Sequence, residues 1–330
     1  MSNYPYKWNL KNANFPKDQG KVFSCFSCGG GSTMGYKLAG FNVIGCNEID
    51  PKLMEVYKLN HSPKYSYLEG IQTFKVRQDL PDELYNLDIL DGSPPCSSFS
   101  IAGNREKDWG KAKKFREGQA NQVLDTLFFD FIDLAKRLQP KIVVAENVKG
   151  ILLGEAIGYV RQIYREFDQA GYYCQHWLLN AATMGVPQRR QRVFFIALRK
   201  DLAAPFLVQK DLFTVAPKLN LEFNEKPILV KDFIEGIPRK LTQNYTENRY
   251  GDVLINIEAP CNTITTDINR YWLDTETLIS EKSIKLIGSY PLDYNFLNNK
   301  IQYLVGMSVP PVMIAQIAER INNQWLKKLK

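Results

Sequence analysis

A cysteine on a proline-stiffened turn is the side chain of this sequence best placed to do chemistry. It stands in Asp91-Gly92-Ser93-Pro94-Pro95-Cys96-Ser97-Ser98-Phe99-Ser100, directly after an apolar run at residues 87–90 that reads as a buried strand. In an open parallel sheet, ligands gather at the carboxyl ends of the strands, so a thiol delivered there can act as a nucleophile. Two further segments converge on the same edge. Glu146-Asn147-Val148 follows the apolar run 142–145 and supplies a carboxyl group able to give or take a proton. Gln188-Arg189-Arg190-Gln191-Arg192 precedes the run 193–197 and supplies guanidinium donors. A glycine-rich run, Phe26-Ser27-Cys28-Gly29-Gly30-Gly31-Ser32-Thr33-Met34-Gly35, lies between a strand and a helix, where glycines permit torsions and close ligand approach that a Cβ would forbid. Glu48, in Asn47-Glu48-Ile49-Asp50 after the next strand, can accept hydrogen bonds from ribose hydroxyls. Read alone, that loop suits an NAD enzyme as well as other Rossmann-type proteins.

These residues need a scaffold. Strands are expected over residues 22–26, 43–46, 87–90, 142–145 and 193–197, and helices over 33–39, 51–59, 121–138 and 156–170. Short apolar runs alternating with amphipathic stretches predict a parallel sheet covered by helices. From about residue 202 to 300 proline, asparagine and threonine become frequent and helical periodicity fades, which predicts a smaller, irregular, strand-rich domain. Residues 310–326 return to an apolar helix able to pack back on the first domain. The expected division is 1–199, 200–299 and 300–330. The opening residues read as a polar arm.

Composition narrows the class. The chain has 330 residues, 45% of them hydrophobic and 23% charged, as in an ordinary globular protein. No apolar run of membrane-spanning length or signal-peptide core is expected, so the location is read as cytoplasmic. Six cysteines form no disulfide framework, and the lone CxxC of Cys25 and Cys28 has neither a second CxxC nor enough histidines to predict a zinc site. The net charge of +7 favours a polyanionic partner. Residues 201–300 carry 11 basic and 14 acidic side chains, so the surplus lies in the first 200 residues and at the C-terminal lysines.

Taken in order, these motifs resemble those of bacterial-type cytosine-C5 DNA methyltransferases over nearly the whole length. The glycine loop, NEID, PPCSSFS, ENVKG, QRRQR, PCNTIT and the C-terminal GMSVPPVMIAQIA each match a family motif. The resemblance implies a Rossmann-like α/β methyltransferase sheet with a target-recognition domain. It implies S-adenosylmethionine as methyl donor, leaving S-adenosylhomocysteine, held near Phe26, Gly29, Gly30, Gly31, Glu48, Ile49, Ile71, Pro95, Leu127 and Ser308. Asp50 is a further expected neighbour. By the same resemblance the Cys96 thiolate attacks C6 of cytosine, which makes C5 nucleophilic, while Glu146 donates at N3 as a carboxylic acid and Arg192 donates to O2. The target carbon is unreachable in a stacked duplex, so the base must be flipped, and the basic stretch 101–122 matches the family's closing loop.

The expected DNA contacts are Arg105, Lys113, Lys114 and Arg190 in the large domain, with base readout by Asn244, Arg249 and Arg270. The implied partner is double-stranded DNA, bound by a working monomer, either in a restriction–modification setting with a cognate endonuclease acting on the same site or in an orphan or phage modification setting without one. Three departures stand out: Cys28 where the family usually has glycine, PCS rather than PCQ, and Met307 in place of an asparagine. A tRNA methyltransferase of the same fold fits less well, because its Cys-Phe-Thr element is absent between residues 200 and 300. An inert regulator is disfavoured by the intact Cys96, Glu146 and Arg192, and an oxidoreductase has no use for Pro-Cys or ENV.

Overall fold

The computed structural model describes residues 4–95, 126–154, 156–209, 215–234, 252–266, 270–273 and 278–329, with backbone alone at 112–113, 122–123, 252 and 270–272. Seven strands form the central sheet: β1 (Lys21–Cys25), β2 (Asn42–Glu48), β3 (Tyr65–Leu68), β4 (Ile89–Gly92), β5 (Ile142–Val148), β6 (Tyr172–Asn180) and β7 (Gln191–Arg199). Their spatial order is β3-β2-β1-β4-β5-β7-β6. Strands β1 to β5 pair in parallel, whereas β7 runs antiparallel to both β5 and β6. The helices are α1 (Gly31–Leu38), α2 (Pro51–His61), α3 (Ile71–Phe74), α4 (Leu127–Leu138), α5 (Ala156–Gln169), α6 (Glu281–Ile287), α7 (Ile301–Met307) and α8 (Pro311–Gln324).

Period-two alternation along each strand sorts side chains between two apolar cores. Phe23, Leu90, Val143, Ala145 and Phe195 face α3, α4 and α5, while Val22, Ile89, Ile142, Val144 and Phe194 face α1 and α8. Helix α4 shows why its sequence folds as it does. Leu127, Phe128, Phe131, Leu134 and Leu138 line its buried stripe, and Asp130, Asp133 and Lys136 fall outside it. A third core gathers Trp8, Met34, Leu53, Val56, Ile264, Tyr290, Tyr294 and Leu304, so the segments after residue 252 pack against α1 and α2.

Several expectations change. The sheet is mixed rather than wholly parallel, because the last strand is reversed. Strands β3 and β6 carry no clean apolar run: they lie at the two edges of the sheet, where tyrosines, Gln175 and His176 replace the aliphatic signature. Helix α4 begins at Leu127 rather than at residue 121, and Gln122–Val123 instead pairs antiparallel with Ala112–Lys113. The polar opening docks: Trp8 is 8% exposed and its indole donates to Ser289 O at 3.0 Å, while Leu10 N and Lys11 N donate to Asp293. Residues 301–328, apolar enough by composition to cross a membrane, are divided at Ser308–Pro310 into α7 and α8, and α8 packs on α1 in the second core.

Candidate active site

Strand parity and the reversed β7 together bring Asp91, Glu146 and Arg192 to one edge of the sheet. Asp91, Glu146 and Arg192 share alternation with Ile89, Val144 and Phe194, so all three point to the face that carries α1 and α8. Glu146 is paired with Phe194 and Val148 with Arg192, which makes Glu146 and Arg192 diagonal neighbours across the β5–β7 ladder. Had β7 been parallel, Arg192 at its start would lie at the opposite edge. In the observed pairing Arg192 Nε meets Glu146 Oε1 at 2.8 Å, with side chains 16% and 12% exposed. Arg192 Nη1 also donates to Gln191 O at 2.8 Å, so the plane of the guanidinium is set by two acceptors. Burial pulls the Arg192 guanidinium below its ordinary value, and the Glu146 charge and hydrogen bond act in the opposite sense.

The turn from β4 toward Cys96 is gripped from β5. Asn147 Nδ2 donates to Pro94 O at 3.2 Å, and its Oδ1 accepts from Val148 N at 2.8 Å. Cys96 itself lies outside the described residues. Four residues before it, at the end of β4, Gly92 is demanded by packing, since a Cβ there would stand 2.6 Å from the Phe131 ring of α4. Asp91 is buried beneath this turn and accepts from Ser24 Oγ at 2.8 Å and Tyr36 OH at 3.1 Å. Burial pushes its carboxyl up to about 7, the two hydroxyls oppose that rise, and Glu146 adds to it.

The glycine loop sits where the sequence placed it, between β1 and α1. Phe26, Cys28 and Gly30 adopt positive φ values of 50°, 49° and 90°. The need for glycine at two positions comes from protein neighbours. A Cβ on Gly30 would fall 2.1 Å from His61 Nε2, and one on Gly31 would fall 2.6 Å from Tyr290 OH. Glu48 closes the loop: its Oε2 accepts from Cys28 N at 2.7 Å, and its Oε1 accepts from Ile49 N at 2.9 Å and Asp50 N at 3.0 Å. Burial raises the Glu48 carboxyl above its ordinary value, and the backbone amides offset part of that rise. Asp50 caps α2 through Lys52 N and Leu53 N. Ser308 donates to Leu304 O at 2.8 Å and lies 3.9 Å from Cys28 Sγ, so the C-terminal motif does reach the loop. Phe26 packs edge-on against Phe131, and Ile71 and Leu127 are buried in the same core. Pro95 is half-buried at the end of the described turn.

The expected DNA contacts divide differently. Arg105, Lys114, Asn244 and Arg249 lie outside the described residues, and Lys113 and Arg270 fall in short strands described by backbone alone. Arg190 needs correction. It is 1% exposed, and its guanidinium donates to Ile264 O at 3.2 Å and Gly306 O at 2.8 Å, so it braces the interior instead of meeting a phosphate. Its neighbours interlock with PCNTIT: Arg189 N donates to Cys261 O, Cys261 N to Pro187 O, and Ile264 N to Gln188 Oε1. Reading the sequence for chemistry missed this brace, together with Asp91 and the grip of Asn147. The available signal was alternation in QRRQR, which sends Arg190 and Arg192 to the same side of the chain.

A mixed seven-stranded sheet gathers at its strand ends a glycine loop, buried Glu48 at the end of β2, and a Glu–Arg pair beside the turn at Pro94. The family model for C-5 cytosine-specific DNA methylases matches residues 20–274, and the chain belongs to that family. Type II methyltransferase M.FnuDI of Fusobacterium nucleatum is 38% identical over 182 residues, covering 55% of this chain and 48% of the relative. Type II methyltransferase M.NgoPII of Neisseria gonorrhoeae is 38% identical over 237 residues, covering 72% and 62%. The match thus spans about half to three-fifths of the length of these two relatives. Among solved structures, Spodoptera frugiperda DNMT2 matches with a TM-score of 0.62 at 19% identity, covering 94% of this chain and 99% of that one. Entamoeba histolytica methyltransferase EhMeth gives 0.60 at 17% identity, covering 94% and 98%. At such identities these two likenesses speak to the fold alone.

Proposed function

We propose that this chain is an S-adenosylmethionine-dependent DNA (cytosine-5-)-methyltransferase that acts on double-stranded DNA with Cys96 as nucleophile. The observation that carries the proposal is the Arg192–Glu146 pair at 2.8 Å, one residue from the asparagine that grips the turn leading to Cys96. A cytosine flipped to this edge would present N3 to Glu146 and O2 to Arg192. Cys96, as thiolate, adds to C6 and moves an electron pair toward C5 and N3. Glu146 supplies the proton at N3, and Arg192 offsets the charge that develops at O2. With a methyl group delivered to C5, loss of the C5 proton to a base, return of the N3 proton to Glu146 and departure of the Cys96 sulfur from C6 would restore the aromatic ring.

The residues at the glycine loop fit the methyl donor. A carboxylate offers about four acceptor positions, and Glu48 has given three to backbone amides, which leaves one for a ribose hydroxyl. Phe26, Ile49 and Ser308 would border the donor, and Ile71, Pro95 and Leu127 would back it. When bound, S-adenosylmethionine supplies an electrophilic methyl group on sulfonium sulfur. Base readout by Asn244, Arg249 and Arg270, phosphate contacts by Arg105, Lys113 and Lys114, and action as a monomer belong to the same proposal, as does the division at 199 and 299. The Type II names of the relatives support a bacterial cytoplasmic or nucleoid setting, with a restriction endonuclease sharing the site.

The test offers duplex DNA and tRNA side by side, with 5-methylcytosine read by mass spectrometry, and then offers duplex DNA carrying 5-fluorocytosine. Methylation of DNA alone and a denaturation-resistant protein–DNA adduct are expected, both lost in Cys96→Ala. Undiminished methylation by Cys96→Ala would overturn the proposal.

A further inference from the structure

The underside of the glycine loop is held by four residues that have no part in the chemistry above. Tyr294, fully buried, donates its phenolic proton to Gly29 O. That hydroxyl also lies 2.9 Å from His61 Nε2. Because the phenol has a single proton and spends it on Gly29, Nε2 must carry the proton of the imidazole, which fixes the tautomer. His61 is buried against Gly30 closely enough that no side chain could be added there. Burial pulls the imidazole well below its ordinary value, with Lys37 acting in the same direction, so it stays neutral.

The residues next to this pair make a second tie. Asn60 Nδ2 donates to Asn295 O at 2.7 Å, and Asn295 N donates to Asn60 Oδ1 at 2.9 Å. The end of α2 is also joined to α1, since Lys37 Nζ donates to His61 O at 3.1 Å. The segment 290–296 is stiffened by the mutually packed rings of Tyr290, Tyr294 and Phe296. The left-handed backbone at Gly30, and the carbonyl of Gly29 beside it, are therefore held by contacts with a segment more than 230 residues away in sequence.

We propose that Asn60–His61 and Tyr294–Asn295 form a latch that sets the backbone of the glycine loop, making Tyr294 and His61 positioning residues for cofactor binding. The link to the cofactor rests on the reading of Gly29–Gly31 as its loop; the latch itself does not.

Two measurements separate these claims. Amide hydrogen exchange of residues 27–34 reads the latch without any ligand. Calorimetric titration with S-adenosylhomocysteine reads its consequence. Tyr294→Phe removes one hydroxyl and leaves the ring, so faster exchange in the loop and about tenfold weaker binding are expected, the order of effect of one buried donor left unpaired. The accompanying kinetic signature is a raised KM for S-adenosylmethionine with kcat largely kept. His61→Gln, whose amide can replace the Nε2 donor, should restore most of the affinity that His61→Leu loses. Asn60→Ala supplies a second variant should a change at Tyr294 compromise folding. Unchanged exchange and unchanged binding in both Tyr294→Phe and Asn60→Ala would overturn the latch. Absence of binding by the wild-type chain would instead overturn the cofactor reading, with the exchange data still judging the latch.

Discussion

Asp91 brings a carboxyl group to the same face of the sheet as Glu146, where burial sets its behaviour. Its carboxyl rises from 3.8 to about 7, and the hydroxyls of Ser24 and Tyr36 recover only part of the lost hydration. The folded chain thus holds this proton more tightly than the unfolded chain does. The stability associated with protonated Asp91 is whole below the unfolded value and is lost as pH rises through the folded one. Asp91→Asn keeps the shape and does not ionise, so its unfolding free energy should fall less between pH 5 and pH 8 than that of the wild type. Between these two pH values the difference is on the order of 2–3 kcal/mol. Urea midpoints at the two pH values measure it. Parallel behaviour of variant and wild type would show that another group governs the slope.

At the scale of elements, the ends of β4 and β5 have to present groups without yielding. Gly92 allows the Phe131 ring to lie directly on the strand, and this contact ties α4 to the turn that leads to Cys96. Gly92→Ala would push its methyl to 2.6 Å from that ring. Overpacking of this kind costs about 1–3 kcal/mol. It should also slow single-turnover methylation, because relief comes by moving the turn. Phe131→Leu in the same chain makes room and should recover part of the stability, a coupling that a double-mutant cycle reads directly. Additive effects would mean that the two sites relax independently.

The elements also show what the sequence could and could not disclose. Helix α4 was legible because seven buried side chains repeat at helical spacing, and β1, β2, β4 and β5 were legible as apolar runs bounded by turns. The direction of β7 was not, since an apolar run reads the same both ways and orientation is decided by which neighbour it pairs with. Glu146 and Arg192 were nonetheless expected at one edge of the sheet, and the structure brings their side chains to 2.8 Å. Arg190 was misassigned for a related reason. An arginine in a basic cluster looks like a phosphate contact, and only the carbonyls of Ile264 and Gly306, 74 and 116 residues away in sequence, show it turned inward.

On the scale of the whole molecule, that inward arginine joins three parts of the chain: the entry to β7, the segment 261–266, and the end of α7. The fit there is close, since a Cβ on Gly306 would lie 2.5 Å from the Thr265 carbonyl carbon. Two buried carbonyls accept charge-assisted donors from one guanidinium, and no apolar side chain can replace them. Arg190→Met keeps the length and leaves both carbonyls without those donors, at a cost on the order of 3 kcal/mol. Arg190→Lys, with a single ammonium, should recover less than half because it cannot span both acceptors in the fork geometry. The placement of the loss matters more than its size. If Arg190 ties the segment 261–266 to the central sheet, limited proteolysis of Arg190→Met should cut first between residues 252 and 266, while the urea midpoint falls. A DNA contact at this position would behave otherwise, weakening DNA binding in a salt-dependent way and leaving the midpoint and the cleavage pattern unchanged. Arg192, two residues further on and on the same side of the strand, would then lose its alignment with Glu146 only as far as the brace gives way. Methylation by Arg190→Lys should accordingly track its recovered stability, whereas Arg192→Lys should lose activity at full stability.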